Sequence, residues 1–257
     1  APLASKGIQL TPVLSPAALT PERLRYYDAV IIYGNHTTLA PAEEKALLDF
    51  VESGKGLVAL HSASDMFGGS ERYATLIGAQ SKRQGAPSEF TPEVVQSSHP
   101  AVQGLKPFAT FDEGVVFTKQ NAAGRTVLME RVDGPGRTPW TWVRDQGKGK
   151  VFYTAYGHDE RTWNNPAFQD LVERAVVWSV PEAARQAHRQ LTMPAVTYVD
   201  GMNVPNYENR NPAPKYQLPF TVDEAMKFIQ IPAEFSLTLF ATEPDIVKPI
   251  AFAFDER

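Results

Sequence analysis

The 257 residues hold five histidines and no cysteine, so any nucleophilic, acid/base or metal chemistry here must come from imidazole, carboxylate or hydroxyl groups. The most suggestive of these is His61, on which the apolar run Gly56–Ser64, GLVALHSAS, abruptly turns polar. Ala59 and Ala63, two before and two after it, are small. A sharp strand-to-helix elbow requires this, because larger side chains would collide while the central residue is pushed out into the cleft. A helix turn starting directly after His61 would disfavour imidazolium and keep the ring neutral near pH 7, suited to a general base, a general acid or a metal ligand. The plainer alternative is a strand-end histidine bonded to backbone.

His158, in YTAYGHDE, also follows an apolar run, with Glu160 two residues on. A loop histidine with an acid nearby can form an orienting pair in which the carboxylate fixes the imidazole tautomer. Equally, Asp159 and Glu160 can start a turn or cap the next segment. His36, in the loop Asn35-His36-Thr37-Thr38, could face the same cleft from a third strand end, although such a loop is also common turn chemistry. In the extended segment around Asp112 and Glu113, alternation sends the two acids to opposite faces, and Glu113 is the one expected to enter the cleft.

The catalytic candidates are therefore His61, His158, Glu160 and Glu113, with His36, Asn35, Tyr156, Asp159, Trp140 and Trp163 as substrate-binding candidates. A Trp or Tyr that lines a cleft is a platform for a sugar ring, though tryptophan serves a core more often. His36, His61 and His158, with an acid, have the atom types of a divalent metal site such as zinc's, but no pair has a diagnostic spacing such as HExxH. Ser62 is a weaker nucleophile candidate, one place past the elbow. His99 and His188 read as turn and surface residues.

These candidates need a scaffold that brings strand ends together. Residues 1–14 read as a helix end, a Gly7 turn and a strand from Ile8 to about Val13. Thr20 is a good N-cap for the short helix PERLRYY. DAVIIYG and GLVALH are short, nearly all-apolar strands, as expected where both faces are covered. Between them, AEEKALLDFVESG places Ala46, Leu47, Phe50 and Val51 on one helical face, with Gly54 as its stop.

Strand, helix, strand with short connections implies right-handed crossovers and a parallel sheet. The expected class is α/β, a three-layer sandwich with a mostly parallel central sheet of flavodoxin-like type. Ser70 could cap SERYATLIG, and residues 79–144 read as a mixed or antiparallel insertion with a loop at GPGRTP, 134–139. GKGKVFYTAYG returns to a buried strand, GHDERTW comes next as a loop, and PAFQDLVERAVVWSV is a helix with a stripe of Phe168, Leu171, Val172, Ala175 and Val176. From Pro181 the chain turns proline-rich. PEAARQAHRQL can add a helix, residues 181–220 read as an extended linker, Thr221 starts a short helix, and FSLTLFA and PIAFAFD are strand-like.

Composition bounds the function. An apolar share of 43% with 11% aromatic is enough for a packed core of ordinary globular type. A net charge of −4 without a Lys/Arg cluster argues against nucleic acid as partner. No apolar run approaches the roughly 20 residues of a membrane span. The absence of cysteine excludes disulfides, thiolate metal sites, a cysteine nucleophile and covalent c-type haem.

The run YDAVIIYGNHTTLAPAEEKALLDFVESGKGLVALHSAS, followed by IGAQ, SSHPAVQGL, FDEGVVF and PWTWVRDQGKGKVFYTAYGHDERTWNNPAF, resembles the ThuA-like (trehalose-utilisation) domain over about residues 1–180. The resemblance implies a class I glutamine amidotransferase-like fold. True amidotransferases hold a Cys at the elbow and a His-x-Glu pair after a later strand. Here His61 occupies the elbow and His158 and Glu160 match the pair, so glutamine hydrolysis is not expected.

The implied activity is on a sugar or ketosugar, of hydrolase or isomerase type. The alternative is a non-catalytic carbohydrate-binding module. The tail IPAEFSLTLFATEPDIVKPIAFAFDER is similar to the opening of membrane-bound-dehydrogenase-like β-propellers of the glucose/sorbosone dehydrogenase type. That implies a division into residues 1–180, a 181–220 linker and a truncated propeller start at 221–257, in a chain cut at both ends and lacking the family's first strand. The expected partners are a small carbohydrate, the missing propeller and, as an option, a second copy of the chain. The expected location is the bacterial periplasm or envelope.

Overall fold

The computed structural model describes residues 3–247, which fall into two compact units, one of residues 12–190 and one of residues 3–11 with 191–247. In the larger unit, α1 (Pro21–Leu24) starts on Thr20, whose hydroxyl accepts from the Arg23 N–H. β1 (Ala29–Ile32), α2 (Pro41–Glu52) and β2 (Gly56–Leu60) come after it, and Glu43 closes the start of α2 by accepting from the Ala40 N–H at 2.8 Å. A 3-10 turn over His61–Ser64 leads to α3 (Glu71–Ile77), capped by Ser70 and stopped at Gly78.

β3 (Ala79–Phe90), β4 (Glu93–Val94), β5 (Thr110–Gln120), β6 (Arg125–Asp133), β7 (Gly136–Gln146) and β8 (Gly149–Thr154) come next. α4 (Glu160–Trp163), α5 (Pro166–Ser179) and α6 (Glu182–Gln190) close the unit.

Six strands form one sheet in the order β1-β2-β8-β7-β6-β4. β1, β2 and β8 are mutually parallel neighbours, and β7, β6 and β4 continue the sheet antiparallel. The sheet is therefore mixed, and its antiparallel half comes from the segment expected as an insertion. Every residue of β2 is buried, which requires cover on both faces because successive side chains alternate. α2, α3 and α5 pack on this parallel part. The expected stripe of α5, from Phe168 to Val176, is buried, as are Ala46, Leu47, Phe50 and Val51 of α2. This is the α/β, flavodoxin-like architecture. β3 and β5 pair separately as a two-stranded antiparallel sheet.

Several local expectations are corrected. Residues 8–13 form no strand; Pro12 lacks the N–H a ladder needs. The 134–139 loop is a two-residue hairpin turn, because Asp133 pairs with Gly136 and Gly134 takes φ 56°. GHDERTW contains the helical turn α4, because the Asp159 carboxylate accepts from the Arg161 N–H and caps it.

In the smaller unit, a 3-10 turn over Ala4–Lys6 ends on Gly7. β9 (Tyr198–Val199) pairs with β10 (Tyr216–Gln217), and α7 (Val222–Met226) begins with a Thr221/Glu224 capping box. FSLTLFA forms no strand, since a strand needs a partner for its backbone groups. PIAFAFD lies outside the described residues.

Candidate functional site

The parallel register aligns Ile32 with Ala59 and Leu60 with Thr154, so the carboxyl ends of β1, β2 and β8 open side by side, where sheets of this class hold ligands. Immediately beyond those ends lie Tyr33, His61 and the loop Ala155-Tyr156-Gly157-His158. His61 has φ 51°, a left-handed conformation that costs an L-residue roughly 1–2 kcal/mol. That is the elbow its small neighbours foretold. The His61 carbonyl accepts from the Tyr153 hydroxyl at 3.1 Å, and Tyr153 also bonds Ser64 at 2.7 Å. The strained turn is thereby fixed from below.

The His61 ring is buried and its Nε2 lies 3.2 Å from Oδ1 of Asp112, a fully buried carboxylate on β5. Asp112 also accepts from the backbone N–H groups of Glu113 (2.9 Å), Gly157 (3.1 Å) and His158 (3.3 Å). Three backbone N–H donors make this carboxylate an acceptor, so His61 Nε2 is the ring nitrogen that donates towards it. Asp112 ties three segments together.

His158 brings its ring to 5.8 Å from that of His61, centroid to centroid. The carboxylate beside it is Glu113, whose Oε2 stands 3.7 Å from Nδ1. His61, Glu113 and His158 each present one ligand atom, and the three atoms lie within 4.8 Å of one another.

Gly157 is the hub. Its carbonyl accepts from the Tyr33 hydroxyl at 3.1 Å and the Trp163 indole at 3.0 Å. Its φ is 132°, and a Cβ there would meet His61 Cβ at 3.1 Å, so the loop approaches the elbow as closely as only glycine allows. Tyr33 stands edge-on to Trp163 at 4.8 Å and 6.4 Å from the His61 ring. Tyr33 is exposed and Trp163 half-buried, giving an aromatic wall beside the histidines.

Of the expected residues, His61, His158, Glu113 and Trp163 come together. Glu160 does not join them: it is exposed in the first turn of α4, and no ion pair among the described residues links it to His158. Asp159 is spent on capping α4 and on the Arg161 guanidinium, which holds its carboxyl below the usual range. The capping reading of this pair is the one observed. Asn35 and His36 are exposed, and His36 is outside the converging trio, so the His36/His61/His158 set is not assembled.

Trp140 is fully buried, edge-on to Phe90 and Tyr156, and offers no platform. Tyr156 is likewise core, stacked on Phe108 at 4.6 Å. Burial, and secondarily the Asp112 charge, push its hydroxyl well above the ordinary tyrosine range. Ser62 donates its hydroxyl to the Gly34 carbonyl, which occupies it away from any histidine base.

Sequence reasoning missed Asp112, Tyr33 and Gly157. Alternation holds on β5, with Asp112 buried and Glu113 half-buried, but it is the buried Asp112 that bonds His61 while Glu113 stands beside His158, so both acids reach the histidines and not one alone. Tyr33 lies at a strand end, where the logic that selected His36 would have found it.

A family model described as ThuA, trehalose utilisation, matches residues 2–179. A second, described as a domain of unknown function, matches residues 221–257. No curated protein matches the chain. Among solved structures, a ThuA-like protein from Bacteroides uniformis is similar at a TM-score of 0.56 with 19% identity, over 65% of this chain and 74% of that one. A ThuA-like protein from Parabacteroides merdae gives the same TM-score with 18% identity, over 69% and 83%.

Proposed function

The chain belongs to the ThuA, trehalose-utilisation, family, and from that premise we propose that the cleft at His61 acts on a carbohydrate, a sugar or ketosugar, by acid/base or metal-assisted chemistry. The observation that carries this reading is the meeting of His61, His158 and Glu113 beside a wall made of exposed Tyr33 and half-buried Trp163. The polar groups can exchange protons with, or polarise, a sugar's hydroxyl or carbonyl oxygens. The aromatic wall can take the apolar face of the ring. With no cysteine in the chain, the elbow holds no thiol for glutamine hydrolysis.

The division at residues 180 and 220, a propeller continuing from the tail, a second copy as partner and a periplasmic or envelope location belong to the same proposal; they rest on the sequence, its resemblances and its proline-rich stretch from Pro181.

The test is turnover of a panel of disaccharides and their keto forms. One acid/base group contributes about 10²–10⁴ in rate, so His61→Ala and His158→Ala should each lower kcat/KM by about 100-fold or more. Full activity in both variants sinks the catalytic reading. Tyr33→Ala and Trp163→Ala should raise KM. If they abolish sugar binding while the histidine variants bind as before and no variant or parent turns sugar over, the protein is a carbohydrate-binding module.

A further inference from the structure

We infer that His61, His158 and Glu113 hold one divalent transition-metal cation, zinc by the chemistry of its ligands, and that Asp112 positions His61 for it. The inference deepens the carbohydrate reading of the same cleft but does not need its substrate.

Two imidazoles and one carboxylate come from three segments, at the end of β2, in the loop after β8 and on β5. Their ligand atoms lie within 4.8 Å of one another. Ligands about 2.0–2.2 Å from zinc stand roughly 3.3 Å apart in a tetrahedron. The His158 Nδ1 to Glu113 Oε2 separation of 3.7 Å is too long for a hydrogen bond yet close to what two ligands of one cation need. The widest gap must close by about 1.5 Å, within reach of side-chain rotation at the two partly exposed members.

His61 is also held from behind by a carboxylate. A metal-bound histidine donates its other ring N–H to a carboxylate or carbonyl, which fixes the tautomer. His61 Nε2 does this to Asp112, whose own orientation is set by three backbone N–H groups. That leaves Nδ1 as the ring nitrogen available to a cation.

Asp112 is fully buried and Glu113 partly so, and among the described residues neither carboxylate is paired with a Lys or Arg. A divalent cation supplies the missing positive charge. Two nitrogen donors disfavour calcium and magnesium, which take oxygen. His158 and Glu113 keep 27% and 25% of their side-chain surface exposed, so one side of the site stays open. Three protein ligands with an open position is the catalytic form of a zinc site, able to take a water or a sugar oxygen.

The experiment is calorimetric titration of chelator-treated full chain with zinc chloride, followed by the variants. One zinc per chain is expected, with His61→Ala, His158→Ala and Glu113→Gln each weakening it at least 10-fold. Asp112→Asn should weaken it about 10–100-fold, while His36→Ala leaves it unchanged. Should a variant not fold, the parent decides: zinc should raise its Tm and protect His61 and His158, but not His36, from diethylpyrocarbonate.

No saturable binding by the parent, or equal weakening by His36→Ala, overturns the inference. Sugar turnover by metal-free protein together with no saturable zinc binding overturns it while sparing the carbohydrate reading. Zinc bound at these residues without turnover or binding of any sugar overturns only the latter.

Discussion

His61 Nε2 and Asp112 Oδ1 lie 3.2 Å apart, a bond between residues 51 positions distant in the chain. Removing the carboxylate should leave three backbone N–H groups and the imidazole without their acceptor in a buried site. Asp112→Ala is expected to cost on the order of 3 kcal/mol in urea unfolding. Asp112→Asn should cost less but release the His61 tautomer, visible as loss of the Nε2–H form in the ring's 15N shifts. A stability change below about 0.5 kcal/mol for the alanine variant, or an unaltered tautomer, contradicts this account.

Gly157→Ala tests the close approach of loop and elbow. Its φ of 132° and the 3.1 Å meeting of a new Cβ with His61 Cβ leave the methyl group nowhere to go without moving one of them. We expect a loss of about 1–3 kcal/mol, together with shifted His61 and Trp163 resonances. A melting temperature equal to the parent's would mean the loop yields freely.

Tyr156 and Trp140 should part company in mutagenesis, although both are fully buried. Among the described residues the Tyr156 hydroxyl has no hydrogen-bond partner, so Tyr156→Phe removes an unsatisfied group at constant shape and should be neutral or stabilising. Trp140→Ala instead empties a large space in the core and should cost about 3–5 kcal/mol. A destabilised Tyr156→Phe would reveal a partner for that hydroxyl.

The Asp159 carboxyl is held below its ordinary value of 3.8, first by the side-chain bond from Arg161. A depressed folded-state value stabilises the fold above the unfolded value, near pH 4, and the contribution disappears as pH falls through the folded one. Arg161→Gln should bring the Asp159 midpoint back up towards 3.8 in an NMR titration and leave stability at pH 7 nearly unchanged, because the pair is solvent-exposed. An Asp159 midpoint that does not rise in the variant would dismiss Arg161 as the cause.

Much of this molecule was legible beforehand, for reasons that are local. Thr20, Ser70 and Thr221 cap the helices that come after them because capping is decided within three residues. The apolar run at 56–60 and the largely apolar run at 149–154 became parallel strands, buried but for Lys150, and His61 and His158 were found because they lie just past those runs. By contrast, the acid that faces His158 is Glu113, 45 residues away, and not Glu160, two residues away. Nearness in sequence had stood in for nearness in space.

The sequence by itself determined the helices, the parallel strands, the elbow at His61 and the kind of chemistry open to a chain without cysteine. Periodicity, capping and small-residue spacing act between residues a few positions apart. Only the tertiary structure decided which groups meet. It buried Trp140 and left Trp163 at the cleft, brought Asp112 of β5 against His61, and set Gly157 between Tyr33, Trp163 and His61. Those outcomes depend on strand pairing and packing across dozens of residues, which no local pattern encodes.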